Sequence, residues 1–383
     1  MRVLCIFHKM IQMENKDQYQ AELLENRLAK KYKQLKKWAR KERITCYRLY
    51  DRDIPEVPVA VDLYEFLPNS ISDKVECAFY MRQTLAEISA NNISVINELK
   101  ERTFVHLYLY ERPYEKDEKE EENWLELMAK TCAKVLQIPE DHVITKHRKK
   151  QRGDNQYEKI ESKKTVQGTV QECGQLFTVN LSDYIDTGLF MDHRPLRNIV
   201  RSTAGGKAVL NLFCYTGSFS VYAAEGKANY VESVDMSNTY TGWARKNMEL
   251  NGFDDKNKYV FTRQDAIGFL NQKNAEVKSE SRVNRYDLII LDPPTFSNSK
   301  STENVLDINR DWSDLCRKCI NILNPKGTLY FSTNSRRLSF SEEELMAKLD
   351  SDINLTITDI TEETIPEDYK GKKLHRCWKI VRS

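Results

Sequence analysis

Alternating strand-like and helix-like segments after residue 206 constrain this chain more than any other feature of its sequence. Short apolar runs suited to strands are expected at 208–213, 230–235, 259–264, 286–291 and 328–333. Segments with helical periodicity are expected at 218–225, 238–250, 308–323 and 341–350. Such alternation predicts an α/β fold with a parallel, doubly wound sheet. Two later β-rich segments, 354–360 and 375–381, suit an antiparallel pair at one edge, which makes seven strands.

The N-terminal half has a mixed pattern of helices and strands. Apolar residues at spacings of three and four predict one amphipathic helix over 19–43. Further helices are expected at 84–100 and 123–136, and strands within 44–66 and at 104–110, 165–172 and 175–181. A chain of 383 residues is long for one domain. We therefore divide it into a basic helix (1–43), an α+β domain (44–185) and the α/β domain (186–383).

Two basic segments lie ahead of the α/β domain. The first is the polar face of the N-terminal helix, and the second is the run KHRKKQR at 146–152. The net charge of only +2 says little about partners, but clustered cations favour nucleic acid. A solvated surface without a partner is the alternative interpretation. The candidate RNA-binding residues are Lys36, Lys37, Arg40, Arg148, Lys149, Lys150 and Arg152.

Composition excludes several classes of protein. No apolar stretch approaches the roughly 20 residues that a membrane helix needs, and the apolar run at the start is too short for a signal peptide. The nine cysteines are scattered, and the Cys316–Cys319 pair lies in a helical pattern without a second pair. We expect a cytoplasmic protein with reduced thiols and no metal.

The first strand of the α/β domain leads into a loop with a single glycine, Gly217. A glycine there lets backbone approach a ligand, and the following helix offers free N–H groups. A dinucleotide site would instead need the pattern G-x-G-x-x-G, which is absent. The loop therefore disfavours a nicotinamide-dependent oxidoreductase and favours a nucleoside without a pyrophosphate.

Acidic residues follow the second and third strands. Asp235 lies eighteen residues after Gly217, a spacing that suits the hydroxyls of a ribose. Asp265 ends the third strand, where a carboxylate can accept a hydrogen bond from an adenine amino group. Either residue alone is most simply a polar turn, but both together after a glycine loop indicate an adenosine-type ligand.

The fourth strand ends in the most specific motif of the chain. The run YDLIILDPPTF at 286–296 takes an apolar strand directly into Asp292-Pro293-Pro294. Each proline fixes its φ angle, so the turn holds Asp292 in one place. Phe296 has the chemistry to stack on a planar base, although a core phenylalanine is the simpler alternative.

Several segments resemble class I rRNA base methyltransferases, above all the guanine-N7 half of the bifunctional bacterial 23S rRNA methyltransferase. The main ones are NLFCYTG (211–217), DPPTFSNSK (292–300) and DTGLFMDHR (186–194). Shorter matches are LKKWAR (35–40), CYRLYD (46–51), QYEK (156–159) and HRCW (375–378). The resemblance covers residues 22–380 and implies a Rossmann-like class I methyltransferase domain behind a smaller α+β RNA-binding domain.

The resemblance also implies S-adenosylmethionine as cofactor and a set of site residues. Those expected to bind the cofactor are Asp192, Asn211, Tyr215, Gly217, Asp235, Ser237, Asp265 and Asp292, with Thr187, Gly188 and Arg194 in a closing loop. Those expected at the reacting base are Asp292, Pro293 and Phe296. The implied substrate is 23S rRNA or a large-subunit precursor particle. The resemblance does not extend to the guanine-N2 half of the bifunctional enzyme, so we expect any such partner to be a separate chain.

The chemistry of the target atom narrows the reaction. Methylation of a ring carbon needs a cysteine nucleophile, but this chain has Thr333-Asn334-Ser335 where relatives with that chemistry carry one. Guanine N7 has a free lone pair, so alignment and water exclusion suffice, and Asp292 is expected mainly to position. N7 is hidden in paired RNA, so the guanine must be unpaired or extruded. Guanine-N2 methylation and a non-catalytic RNA-binding assembly factor remain alternatives.

Overall fold

The computed structural model describes residues 2–110, 117–148, 165–279, 285–297 and 305–383. The chain forms two compact units, the first ending at Thr187 and the second spanning Gly188–Ser383. The N-terminal helix belongs to the first unit. The sequence analysis instead drew boundaries after residues 43 and 185. Among the described residues, no helix has both the length and the apolarity to cross a bilayer.

The first unit is an α+β assembly built on a four-stranded sheet. Its strands, in the order β1-β2-β3-β4, are antiparallel except for the parallel pair β3 and β4. They are β1 (Cys46–Asp51), β2 (Val59–Glu65), β3 (Thr103–Tyr110) and β4 (Val143–Arg148). The described helices are α1 (Arg2–Lys41), α2 (Lys74–Ser89), α3 (Ile93–Glu101) and α4 (Glu118–Leu136). A hairpin of β5 (Gln167–Glu172) and β6 (Gln175–Asn180) completes the unit.

The helix predicted over 84–100 was wrong in its extent, because the region folds as two helices. Asn91 adopts a positive φ of 56°, which ends the first helix. Asn92 then caps α3 by accepting the backbone N–H groups of Ser94 and Val95. The amphipathic N-terminal helix extends further towards the N-terminus than predicted. Its apolar face is buried, as expected, at Leu24, Leu28, Leu35 and Ala39.

The second unit contains the predicted seven-stranded sheet. The strand order is β14-β15-β13-β10-β7-β8-β9, and every pairing is parallel except those of β15. The strands are β7 (Ala208–Leu212), β8 (Tyr230–Asp235), β9 (Tyr259–Arg263), β10 (Tyr286–Leu291), β13 (Leu323–Thr333), β14 (Leu355–Asp359) and β15 (Arg376–Arg382). A short pair, β11 (Phe296–Ser297) and β12 (Leu306–Asp307), follows β10. The predicted class of fold, with its antiparallel edge, is confirmed.

Helices cover both faces of this sheet. Those predicted are α6 (Ser218–Glu225), α7 (Asn238–Leu250), α9 (Ile308–Asn321) and α10 (Glu342–Met346), and the sequence analysis missed α5 (Arg194–Thr203) and α8 (Ala266–Ser279). Two apolar cores form, one on each face. The register pairs Leu212 with both Val234 and Leu291. The carboxyl ends of β7, β8 and β10 therefore meet at one edge, where ligands bind in sheets of this kind.

A buried polar network fastens the strands below that edge. The hydroxyl of Tyr286 at the start of β10 donates to the carboxyl of Glu232 on β8 at 2.6 Å, across the intervening strand β7. Thr262 on β9 donates to the other oxygen of Glu232 at 2.8 Å. Buried carboxyls need such partners, because desolvation without a hydrogen bond is costly.

We expect Tyr286→Phe to lower the free energy of unfolding by about 1–3 kcal/mol, because a hydrogen bond to a buried carboxyl is lost. Urea denaturation followed by tryptophan fluorescence measures this. Tyr259→Phe on β9 is the matched control, since that ring is only half-buried, and it should change stability by less than about 0.5 kcal/mol. Equal effects of the two substitutions would refute the assigned role of Glu232.

Candidate active site

The loop after β7 is the most strained part of this edge. Phe213, Tyr215 and Gly217 have φ values of 53°, 50° and 76° within five residues. Left-handed conformations at residues other than glycine cost energy and cluster at functional sites. A Cβ atom at Gly217 would lie 2.8 Å from that of Ala244 on α7. Glycine therefore lets the loop turn tightly against α7 before α6 begins.

Asp235, at the end of β8, fixes this loop. Its two carboxylate oxygens accept the backbone N–H groups of Tyr215 at 3.0 Å and Ser237 at 2.9 Å. Burial raises the pKa of Asp235, and the two N–H donors oppose that rise. A carboxylate offers about four lone-pair positions, so two remain for ligand hydroxyls. The predicted cofactor residues Tyr215, Asp235 and Ser237 are thus brought together.

Asn211 and Ser237 have structural partners. The Asn211 amide donates to the Ser220 hydroxyl at 2.9 Å, which lies 2.7 Å from that of Ser233. This chain of polar groups ties β7 to α6 and β8. The Ser237 hydroxyl caps α7 by accepting the N–H of Tyr240 at 3.3 Å. Both side chains therefore shape the edge of the sheet.

Asp265 lies just beyond β9, at the start of α8. Its carboxylate accepts the backbone N–H of Gly268 at 2.9 Å, in the manner of a helix cap. The side chain is half-buried. Its predicted contact with an adenine amino group stays a prediction.

The segment around Gly188 lies against the glycine loop. The Thr216 hydroxyl donates to the Gly188 carbonyl at 2.5 Å. Gly188 has a φ of 99°, and a Cβ atom there would lie 2.4 Å from the Trp243 ring. Next to it, the Phe190 ring packs 5.2 Å from the Tyr215 ring, centroid to centroid, and stays exposed. The sequence analysis did not single out Phe190, although it lies within the motif DTGLFMDHR at 186–194.

Two residues of the expected closing loop have partners within the protein. The Thr187 hydroxyl lies 3.1 Å from that of Tyr64 within the first unit. The buried Arg194 guanidinium donates to the buried Asp368 carboxylate at 2.8 Å. Breaking a buried ion pair is costly, because it leaves an uncompensated charge, so this pair holds Arg194 in place. Their role in closing over a ligand stays a prediction.

The Asp292-Pro293-Pro294 turn is held from both sides. The hydroxyl of the following Thr295 bonds to the Asn334 side chain, and the Thr295 carbonyl accepts the N–H of Ile308 at 3.1 Å. Pro293 is buried, whereas the Asp292 side chain is 28% exposed. Phe296 is 52% exposed, so the core alternative is wrong. An exposed aromatic ring thus follows a partly exposed carboxylate in this turn.

Two histidines that the sequence analysis did not single out complete the site. His193 Nε2 lies 3.5 Å from an oxygen of Asp292, and His375 Nδ1 lies 3.8 Å from an oxygen of Asp192. Their rings stack with centroids 4.3 Å apart. Both lie in motifs used for the family resemblance, DTGLFMDHR and HRCW. Because 182 residues separate the two histidines, only their presence in these motifs could have identified them from the sequence.

The candidate RNA-binding residues fall into three groups. Lys36 and Arg40 are half-buried with Glu65 nearby, and burial lowers the pKa of Lys36. Lys37, the next residue of α1, is exposed. The side chain of Arg148 and all of Lys149, Lys150 and Arg152 lie outside the described residues. Four exposed lysines in the C-terminal part of α1 form a stripe along one face: Lys30, Lys33, Lys37 and Lys41.

The cysteine pair Cys316 and Cys319 is buried within α9. Burial raises the pKa of both thiols, which opposes formation of a nucleophilic or metal-binding thiolate. Among the described residues, the one cluster with metal-ligand geometry contains no cysteine and consists of Asp192, His193 and His375.

Comparison with known proteins gives consistent results. Residues 100–346 match the family described as S-adenosylmethionine-dependent methyltransferase. The chain is 38% identical over 355 residues to Ribosomal RNA large subunit methyltransferase K of Neisseria meningitidis, covering 93% of this chain and 86% of that protein. It is 37% identical to Ribosomal RNA large subunit methyltransferase K/L of Magnetococcus marinus, covering 94% of this chain but only 43% of that protein.

Solved structures match the fold. A SAM-dependent methyltransferase from Streptococcus mutans aligns with a TM-score of 0.62 at 18% identity, covering 95% of this chain and 81% of that one. A protein described as a methyltransferase and crystallised with SAH aligns with a TM-score of 0.63 at 19% identity, covering 94% and 81%. At these identities the likeness concerns the fold alone.

We expect Gly217→Ala to lower the free energy of unfolding by about 1–3 kcal/mol, because an alanine there adds both backbone strain and a clash with Ala244. Thermal and urea denaturation measure the effect. Gly242→Ala on α7 is the control, because a Cβ atom there meets nothing within 4 Å. That substitution should be neutral or stabilise the protein by up to about 1 kcal/mol. If both variants have the stability of the unchanged protein, the structure does not require glycine at position 217.

Proposed function

The chain belongs to the S-adenosylmethionine-dependent methyltransferase family, and we propose that it methylates N7 of a guanine in 23S rRNA. Relatives aligned over nearly all of this chain are named ribosomal RNA large subunit methyltransferases. The observation that carries the proposal is the shared edge of the sheet, where β8 ends at Asp235 and β10 leads into the Asp292 turn, which the exposed Phe296 follows. Such a substrate would place the reaction in the cytoplasm.

The strand ends fit an adenosine-bearing cofactor. Asp235 retains lone pairs for ribose hydroxyls, and the tight turn at Gly217 keeps side chains away from the start of α6. S-adenosylmethionine supplies a methyl group on a positively charged sulfur. Asn211, Ser237 and Arg194 shape the site. We assign cofactor binding to the residues on this edge and the adjoining segment: Gly188, Asp192, Tyr215, Gly217, Asp235, Asp265 and Asp292. Thr187 ends the first unit beside this segment.

Guanine N7 suits the groups at the Asp292 turn. Its lone pair is free at neutral pH, so no general base is required. The residues need only hold the ring in line and exclude water. The exposed Phe296 ring offers a stacking face for an extruded base, and the turn at Pro293 keeps Asp292 fixed beside it. Methylation of guanine N2 would need removal of a proton as well, and it is the outcome that the first test below distinguishes.

We propose that the lysine stripe on α1 binds RNA phosphates. The stripe runs from Lys30 to Lys41, twelve residues, and so extends about 16 Å along the helix. That length reaches several consecutive phosphates. Of the residues first predicted, we retain Lys37, since Glu65 lies near both Lys36 and Arg40. The partner would be 23S rRNA or a large-subunit precursor particle, and a guanine-N2 methyltransferase acting with it would be a separate chain.

We expect rRNA from cells lacking this gene to lose one 7-methylguanosine, and the purified protein with S-adenosylmethionine to restore it. Nuclease digestion with mass spectrometry locates the methyl group. We expect Asp292→Ala to reduce kcat about 100-fold, because a misplaced substrate loses alignment. Asp292→Asn, which keeps the shape, should retain more. Loss of N2-methylguanosine instead would assign the other reaction, and no lost methyl group would favour a non-catalytic assembly factor.

We expect Lys33→Glu combined with Lys37→Glu to weaken RNA binding at least about tenfold at low salt. The slope of log affinity against log salt should become shallower by about 1.4, since each lost phosphate contact removes about 0.7. Filter-binding titrations at several salt concentrations measure both. The control is Lys256→Glu with Lys278→Glu, two exposed lysines outside the stripe that change the net charge equally. If both double variants weaken RNA binding equally, the loss reflects net charge alone, and the stripe is not the RNA-binding surface. Lys149 and Lys150 are the equivalent pair to test in the second basic run.

A further inference from the structure

Four ionisable side chains from separate parts of the second unit converge behind the Asp292 turn. His193 and His375 are both buried, and their rings stack at a centroid distance of 4.3 Å and an angle of 16°. Each ring faces one carboxylate, since His193 Nε2 lies 3.5 Å from Asp292 and His375 Nδ1 lies 3.8 Å from Asp192.

The surroundings hold this stack in place. His375 Nε2 lies 3.0 Å from the hydroxyl of Thr364, which fixes the orientation of that ring. The edge of His193 contacts the Phe219 ring of α6, with centroids 5.9 Å apart. His193 Nδ1 is buried and has no hydrogen-bond partner among the described residues. In the described part of the chain, the ring nitrogen of His193 that lies beside a charged side chain is thus Nε2, next to Asp292.

The stacking argues against a shared metal ion. Ligand atoms of Asp192, His193 and His375 lie within 4.8 Å of one another. An imidazole binds a metal in the plane of its ring, along the nitrogen lone pair. Two rings that stack nearly parallel direct their lone pairs into separate planes, so a single ion cannot meet both. The cluster is better explained by interaction between its own charges.

We propose that His193 is a positioning residue for Asp292: the neutral ring lets the carboxylate face the reacting groups, and a proton on the ring draws the carboxylate away from them. The 3.5 Å separation is long for a hydrogen bond. Charge-assisted pairs close to about 2.7–2.9 Å, so protonation moves Asp292 towards His193. This inference rests on the proposed function, in which Asp292 faces the methyl donor and the base.

The groups that face His193 set its charge. They are Asp292 after β10, Asp192 on its own turn, His375 before β15 and Arg197 on α5. Burial is the largest influence and lowers the pKa of His193 from 6.5, while the two carboxylates oppose it and His375 and Arg197 reinforce it. The ring is therefore neutral at pH 7. It takes up a proton only at more acid pH, and the activity should fall there.

The first experiment observes the ring itself. Nitrogen-15 NMR of the full chain with labelled histidine follows each imidazole between pH 4.5 and 8 and needs no substrate. In Asp292→Asn the pKa of His193 should fall further, by about 0.5 or more, because an attractive charge is gone. Asp292 is partly exposed, so the variant is expected to fold. An unchanged titration of His193 in Asp292→Asn would overturn the coupling.

The second experiment measures kcat against pH with saturating cofactor and RNA. The unchanged protein should lose about tenfold per pH unit below the pKa of His193. In His193→Gln, which cannot take up a proton, kcat at pH 7.5 should be lower, but the further acid loss should shrink to about twofold or less. His142→Gln is the control, since His142 stacks on Phe104 in the first unit, and it should retain the acid loss.

The outcomes separate the two proposals. If the unchanged protein methylates no guanine N7, the proposed function fails, yet the NMR titration still decides whether Asp292 and His193 are coupled. If methylation occurs and His193→Gln keeps the full acid loss, the positioning role of His193 is overturned. Selective broadening of both histidine resonances by a stoichiometric amount of cobalt(II) would assign a metal site and also overturn it.

Discussion

The carboxylate of Asp235 is the interaction on which the rest of the site depends. It accepts backbone N–H groups from the ends of two different segments, the loop after β7 and the turn after β8. Parallel strands bring those segments side by side, but register alone leaves the loops free to vary. By bonding both, the half-buried carboxylate fixes their spacing. The positive φ values of Phe213 and Tyr215 are the strain that this arrangement retains.

The consequences extend along the edge of the sheet. With Tyr215 held in place, its ring provides the surface on which Phe190 packs. Thr216 holds the Gly188 carbonyl, and the close approach of Trp243 requires glycine there. The segment leading to His193 is therefore positioned by contacts that begin at Asp235. Since His193 lies beside Asp292, one chain of contacts joins the proposed ribose site to the proposed reacting site.

The sequence predicted those features that depend on local pattern. The strand ends at Gly217, Asp235 and Asp292 could be located because apolar periodicity places them, and a parallel sheet brings its carboxyl ends together. Contacts between distant residues could not be read in this way. Tertiary packing brings the charge of Glu65 close to Lys36 and Arg40. It also pairs Arg194 with Asp368, which lies 174 residues away in the sequence. Helical periodicity identified a polar face on α1 but not which cations remain available.

The balance of charge at the Asp292 turn explains why buried histidines suit this position. A carboxylate that faces a cationic donor should keep its negative charge, so a permanently charged neighbour such as arginine or lysine would compete for it. A buried imidazole supports the same carboxylate by packing and stays neutral at pH 7. Arg194, the cation next in sequence, is already bound to Asp368. The arrangement thus leaves Asp292 supported by neighbours that do not cancel its charge.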